Sequence, residues 1–272
     1  MPGYSRATRA RHEGFAQHFL ASPRLAAELV GAARIIRADR VVEFGAGTGV
    51  LTDALARQAA HVVAIELDPT LVARLARRFA AAPSVTVLHA DAALVALPAT
   101  PYRVMANLPF NQTATILRRL LDEPDTSLVR ADLIVQWQVA RARANASPGP
   151  PADLLGATWG PWWAFARGRR LPAALFRPAP TVDAAVLTIT RQPADLLPIQ
   201  DHAAYAAFVR HGFETSRLQP FLLTVFGARN ATALRETLGL PAAYRPQDLN
   251  VGHWVSLFRA RPERRRRGSP QA

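Results

Sequence analysis

The stretch Val41-Val42-Glu43-Phe44-Gly45-Ala46-Gly47-Thr48-Gly49 places a glycine cluster directly between an apolar run and a helical one. Little else in the chain constrains the fold as much. A strand that turns sharply over bare backbone into a helix is the opening unit of an open, mostly parallel α/β sheet, and glycines there let a ligand lie against the main chain. A dinucleotide fingerprint would need Gly at position 50, which is Val50. The pattern is instead GxGxG after an acid, and Gly45 and Gly47 become candidate contacts for S-adenosyl-L-methionine. That cofactor has no pyrophosphate to cradle, but it carries a sulfonium and an ammonium that acidic surroundings favour. A tight structural turn would use the same glycines.

The rest of the chain up to Arg191 continues the alternation. Strands are expected at Arg40 to Phe44, His61 to Leu67, Ser84 to His89, Tyr102 to Ala106, Asp132 to Trp137 and Thr181 to Thr190, and helices at Val50 to Ala60 and Pro69 to Ala81. Pro69 suits a first helical turn, where its missing N–H would have had no partner. Pro161 to Arg170 is ambiguous. Past Pro193 the period is purely helical, with segments near Asp201 to Phe213, Leu218 to Phe226, Thr232 to Leu238 and Gly252 to Arg261. The expected fold is α/β: a Rossmann-like methyltransferase domain over 15–193, then a small all-helical domain over 194–261 of roughly 70 residues. A basic arm over 1–14 and an Arg-rich tail over 262–272 would flank them. Ser147 to Pro151 reads as a loop.

Acids recur where consecutive strands end. Glu66, about 20 residues past the glycines, is placed to hold both ribose hydroxyls, and Asp91 in His89-Ala90-Asp91-Ala92 to accept from an adenine amino group. The competing role for such acids is capping the next helix, which Asp68 before Pro69 fits better than Glu66 does.

The next strand ends in Asn107-Leu108-Pro109-Phe110. An exocyclic adenine nitrogen has its lone pair delocalised into the ring, so it attacks a methyl group poorly until it is drawn toward tetrahedral geometry. The Asn107 side-chain oxygen and the Leu108 carbonyl can each accept one N–H, Pro109 stiffens the turn that aims them, and Phe110 offers a face for an extruded base. Alignment carries most of such a reaction, without a strong general base. An Asx-turn beside a core Phe remains the plain alternative for this tetrapeptide.

On these motifs the chain resembles the rRNA adenine N6-methyltransferases, and within them the Erm branch, from Gly14 to about Phe258. Gly14-Phe15-Ala16-Gln17-His18-Phe19-Leu20 is similar to the family's Gln-Asn-Phe-Leu cofactor motif, with His18 where Asn is commoner. The resemblance implies that His18 and Leu20 contact S-adenosyl-L-methionine beside Gly45, Glu66, Asp91, Ala92 and Asn107. Phe176-Arg177-Pro178-Ala179-Pro180-Thr181-Val182-Asp183 is similar to a Phe-x-Pro-x-Pro-x-Val segment, which implies that Phe176 holds the adenine opposite Phe110; a core aromatic is the alternative. Phe110 stands where Tyr is commoner, and Phe213 to Leu218 lacks the Arg-Arg-Lys run of many members. Trp254 to Phe258 with the Arg-rich tail looks like actinomycete Erm proteins. The implied activity is methylation of one adenine in the peptidyl-transferase region of 23S rRNA, with resistance to macrolide, lincosamide and streptogramin B drugs. The rivals are a small-subunit dimethyladenosine transferase and a non-catalytic RNA-binding factor.

Charge agrees with an RNA partner. The chain carries 33 Lys+Arg against 20 Asp+Glu, a formal +13, and every one of those basic residues is Arg. Such a surplus points to a polyanion, and phosphate contacts from Arg predict binding that weakens steeply with salt. Candidate RNA contacts are Arg118, Arg119, Arg141, Arg143, Arg167, Arg169 and Arg170, each also readable as part of a solvated face. Trp159, Trp162 and Trp163 are expected in the core, and His202, His211 and His253 have no partners at metal spacing. With no Cys in the chain, thiol and Cys-zinc chemistry is excluded and a reducing cytoplasm is compatible. No metal, membrane span or secretory signal is expected. The expected partner is 23S rRNA, naked or in an assembly intermediate, met by a monomer.

Overall fold

The computed structural model describes residues 18–144 and 153–262. The expected arm over 1–14, Ser147 to Pro151 and the tail from 263 onward lie outside the described residues. Contacts divide the described residues into two units, 18–144 with 165–191 and 153–164 with 192–262.

The first unit is built on strands β2 (Arg40–Phe44), β3 (His61–Glu66), β4 (Val85–His89), β5 (Tyr102–Asn107), β6 (Leu128–Gln136), β7 (Trp163–Leu171) and β9 (Ala184–Arg191), in the sheet order β4-β3-β2-β5-β6-β9-β7. The pairs from β4 to β6 are parallel and β6 with β9 is antiparallel. The chain runs outward from β2 through β3 to β4, then crosses back to place β5 on the other side of β2. That reversal opens a crevice at the carboxyl ends of β2 and β5, where ligands bind in open α/β sheets. A separate two-stranded ribbon pairs β1 (Phe19–Leu20) with β8 (Phe176–Arg177), Leu20 opposite Phe176.

Local chemistry sets the helices that flank this sheet. Ser22 caps Pro23–Ala32, its hydroxyl accepting from Leu25 N at 3.4 Å. Asp68 caps Pro69–Arg78, accepting from Thr70 N at 2.7 Å and Leu71 N at 3.3 Å. Each of these helices begins on a proline. Val50–Ala56 starts from Gly49 in the left-handed region, φ 79°. Further helices are Thr113–Leu121 and Trp137–Ala144. The ambiguous segment is strand β7. The expected strand ending at Trp137 begins earlier, at Leu128, and stops at Gln136, where a helix starts.

The second unit is helical, with Leu154–Trp159, His202–Phe213, Leu218–Thr237 and Val251–Arg259. The two expected segments from Leu218 to Leu238 form one run broken at Gly227, whose φ of 75° and ψ of 162° are not helical. Residues 153–164 group with this unit, so the expected catalytic span 15–193 is interrupted. The reason is aromatic packing: Trp162 lies edge-on to Tyr205 at 5.8 Å, and Tyr205 to Phe258 at 5.2 Å. Tyr205 donates from its hydroxyl to Ala157 O at 3.0 Å, and burial pushes that phenol well above its ordinary range. Trp159, Trp162 and Trp163 are all fully buried, as expected of core residues.

Candidate active site

Across the carboxyl edge of the sheet, the residues that follow the strands come in the order Asp91, Glu66, Gly45, Asn107 and Trp137. One cleft along this edge is lined by Phe44, Gly45, Ile65, Glu66, Leu67, Asp68, Ala90, Asp91, Ala92, Leu108, Pro109, Gln112 and Ile116. A smaller one beside it is lined by His18, Phe19, Gly45, Asn107, Leu108 and Pro109. The two share Gly45, Leu108 and Pro109, so a ligand lying over the glycine turn would reach both.

The glycines divide their work. Gly45, Gly47 and Gly49 all hold positive φ. A Cβ on Gly47 would sit 2.6 Å from the Phe19 ring and one on Gly49 2.7 Å from Leu75, so both are glycine for packing against the protein itself. On the Cβ side, then, Gly47 faces Phe19 and not open space. Only Gly45 borders the clefts, where a Cβ would come no nearer than 3.9 Å, to Pro109.

Glu66 is 2% exposed, and its two oxygens hold the turn together. One accepts from Gly47 N at 2.8 Å, the other from Leu67 N at 2.8 Å and Asp68 N at 2.9 Å. A carboxylate has about four lone-pair sites, so with three taken, capacity remains for a ligand hydroxyl. Helix capping falls to Asp68, as the spacing suggested. Asp91 is exposed and spends one oxygen on Ala93 N at 2.8 Å. Glu43, the acid before the glycines, is only 1% exposed. Burial pushes its carboxyl up to about 8, Thr52 opposes that rise, and the neighbouring Glu66 adds to it. Glu43 thus holds its proton at neutral pH and supplies no charge to the cleft; the acids that line it are Glu66, Asp68 and Asp91.

Asn107 ends β5 half-buried. Its Nδ2 donates to the main-chain carbonyl of His18 at 2.6 Å. A carbonyl oxygen only accepts, so this bond fixes which end of the amide faces His18 and turns Oδ1 the other way. Phe110, half-buried, packs against the core cluster that contains Phe176. Phe176 itself is 0% exposed. It is a core aromatic, and the expected second face for a base is covered by its neighbours. Leu20 is likewise in the core, where it pairs with Phe176.

The arginines separate as well. Arg143 is only 8% exposed, so it is withdrawn from the surface, a correction to its expected place among RNA contacts. Arg119 is half-buried and donates to Val95 O at 3.0 Å, bracing the loop after Asp91. Arg118 and Arg141 are exposed. Arg169 pairs with Glu28 at 2.8 Å and Arg170 with Asp183 at 2.8 Å. Arg167 and Arg170 lie over the Trp137 ring, at 4.6 and 4.9 Å from its centroid. Sequence reasoning missed Trp137, Gln112 and Ile116; each follows a recognised strand or motif within a turn or two of helix, which was the available signal.

The profile of the family described as ribosomal RNA adenine dimethylase matches residues 8–260. The chain belongs to that family. The chain is therefore a methyltransferase, and its methyl donor is S-adenosyl-L-methionine. The donor set suits that group: an unobstructed glycine at Gly45, carboxylates at Glu66 and Asp91, and apolar walls from Ile65, Leu108 and Ile116. The chain is 37% identical over 252 residues to the mycinamicin-resistance protein MyrB of Micromonospora griseorubida, covering 92% of this chain and 78% of that protein. It is 40% identical over 214 residues to a probable ribosomal RNA small subunit methyltransferase A of Methanospirillum hungatei, covering 74% and 77%. Among solved structures, the 23S rRNA methyltransferase ErmE superposes with a TM-score of 0.78 at 24% identity over 89% of this chain and 98% of ErmE, a likeness of fold. No described helix is long and apolar enough to cross a membrane.

Proposed function

We propose that this methyltransferase, acting as a single copy on naked RNA or an assembly intermediate, methylates N6 of one adenine in the peptidyl-transferase region of 23S rRNA and so confers resistance to macrolide, lincosamide and streptogramin B drugs. The observation that carries the site chemistry is the bond from Asn107 Nδ2 to His18 O, because it leaves Oδ1 as an acceptor at the crevice. The choice of 23S rRNA is supported by the resistance protein MyrB, which the chain matches over most of its length.

S-adenosyl-L-methionine supplies an electrophilic methyl on a sulfonium. Glu66 takes the ribose hydroxyls, while Asp91 and Ala92 border the adenine of the cofactor. Asn107 Oδ1 and the Leu108 carbonyl each accept one N–H of the target amino group, which frees its lone pair to form the new N–C bond as the S–CH3 bond breaks. The nitrogen then releases a proton to solvent. Phe110 stacks on the target base, and Pro109 keeps the turn stiff. Extruding the base costs a few kcal/mol. Phosphate contacts from Arg118, Arg141, Arg167, Arg169 and Arg170 offset this cost, with Trp137 as an aromatic platform among them.

A second reading, methylation of the small-subunit rRNA, is favoured by the 40% identity to the archaeal relative. Labelled cofactor incubated with separate protein-free 16S and 23S transcripts decides between them. Label in 23S RNA, with a reverse-transcriptase stop at one adenine, is the expected result. Label confined to 16S RNA sinks the first reading.

A further inference from the structure

Several parts of the proposed adenine site are referred to one residue. The His18 carbonyl accepts from Asn107 Nδ2 at 2.6 Å. The His18 imidazole Nδ1 is 2.8 Å from the carbonyl of Pro178. Since that carbonyl only accepts, Nδ1 carries the hydrogen and donates. The same ring lies 5.6 Å from the Phe110 ring, with planes inclined by 42°. The next two residues, Phe19 and Leu20, form the ribbon with Arg177 and Phe176. The acceptor amide, the stacking ring and the Pro178 turn are thus fixed relative to each other through His18.

We infer that His18 is a positioning residue for the target adenine, acting on turnover through Asn107, Phe110 and the Pro178 turn. This rests on the reading of Asn107 and Phe110 as the adenine-holding pair. The side chain contributes two separable parts, a donor to Pro178 and a ring against Phe110, whereas the main-chain bond to Asn107 survives any substitution. His18→Phe keeps a ring and loses the donor. His18→Asn keeps a donor and loses the ring. His18→Ala loses both.

The test measures kcat with saturating cofactor and RNA, together with the cofactor Kd by calorimetry, for the full chain and the three variants. Loss of one hydrogen bond or one ring contact predicts a fall in kcat of about five- to tenfold in the Phe and Asn variants, and a larger, roughly multiplicative fall in His18→Ala. The cofactor Kd should stay within about twofold throughout. In a His18→Phe and Phe110→Ala cycle, a coupling above about threefold in kcat is expected, which a remote structural effect would not produce. If the Kd rises about tenfold while kcat at saturation holds, His18 is a cofactor contact and the inference is overturned. Unchanged kcat in all three variants overturns it equally. A wild-type protein inactive on both 16S and 23S transcripts would overturn the functional reading itself and the inference with it, an outcome distinct from active wild type with indifferent variants.

Discussion

At the amino end of β5, Arg103 is surrounded by partners: Asp39 at 2.7 Å, Asp132 at 3.6 Å, and the carbonyls of Ala33 and Arg34. Asp132, buried, also takes both arms of Arg130, at 2.7 and 2.8 Å, and the Thr188 hydroxyl at 2.8 Å. At the carboxyl end of the same strand, Asn107 has its donor tied down to His18 and its Oδ1 turned away from it, beside the open face of Gly45, with Asp91 exposed farther along the edge. One end spends its polar groups on the protein; the other leaves acceptors for something the protein does not contain. The difference separates residues that hold the sheet from residues proposed to do chemistry, although both sets are polar and sit at strand ends.

Substitutions at the two ends should therefore fail in different ways. Asp132→Ala leaves Arg103 and Arg130 short of a buried carboxylate and is expected to cost about 3–5 kcal/mol, read as a lowered urea midpoint with unchanged slope. A cost under about 1 kcal/mol would mean that the amino-end cluster is not structural. Asn107→Ala should do the reverse. Turnover falls at least about a hundredfold, near 3 kcal/mol on the barrier, while stability changes by about 1 kcal/mol and cofactor affinity is retained. A full-rate Asn107→Ala enzyme would refute the proposed alignment of the amino group.

Glu43 sharpens the contrast, because it is a carboxyl-end acid that the folded protein keeps protonated. Its carboxyl titrates near 8 when folded against 4.5 as the ordinary value. Between those pH values the folded state binds more protons than the unfolded one, so stability falls as pH rises through that window. Glu43→Gln removes the titration and should add on the order of 2 kcal/mol at pH 6 and nothing at pH 4, read from Tm at the two pH values. An equal gain at both would assign the effect to packing. The smallest effect expected is at Phe110. Phe110→Ala should slow turnover about tenfold and Phe110→Tyr less than about twofold, as a stacking face requires; equal losses would argue against stacking.

Much of this arrangement is legible in the chain because it is local. The strand, glycine turn and helix from Arg40 to Ala56, the Asp68-Pro69 cap and the order of strand-end acids all depend on neighbours within a few residues. What could not be read there depends on residues far apart in sequence. Nothing near Gly47 says that Phe19 fills the space of its missing Cβ, and nothing near Phe176 says that its ring is covered on every side. Arg143 looks like any other arginine of a basic helix until its face is placed against the core. The grouping of 153–164 with the helical unit rests on Trp162 meeting Tyr205, a pairing that no local period announces.

The ribbon of β1 and β8 has a consequence in time. Phe19 and Leu20 are made more than a hundred and fifty residues before their partners Phe176 and Arg177, and a chain emerges N-terminal end first at about 5–20 residues per second. The carbonyl that holds the Asn107 amide is thus made long before the ribbon that fixes it can close. A nascent chain can form its parallel strands while this ribbon is still unpaired, so chains truncated before Phe176 would lack the geometry proposed for methyl transfer.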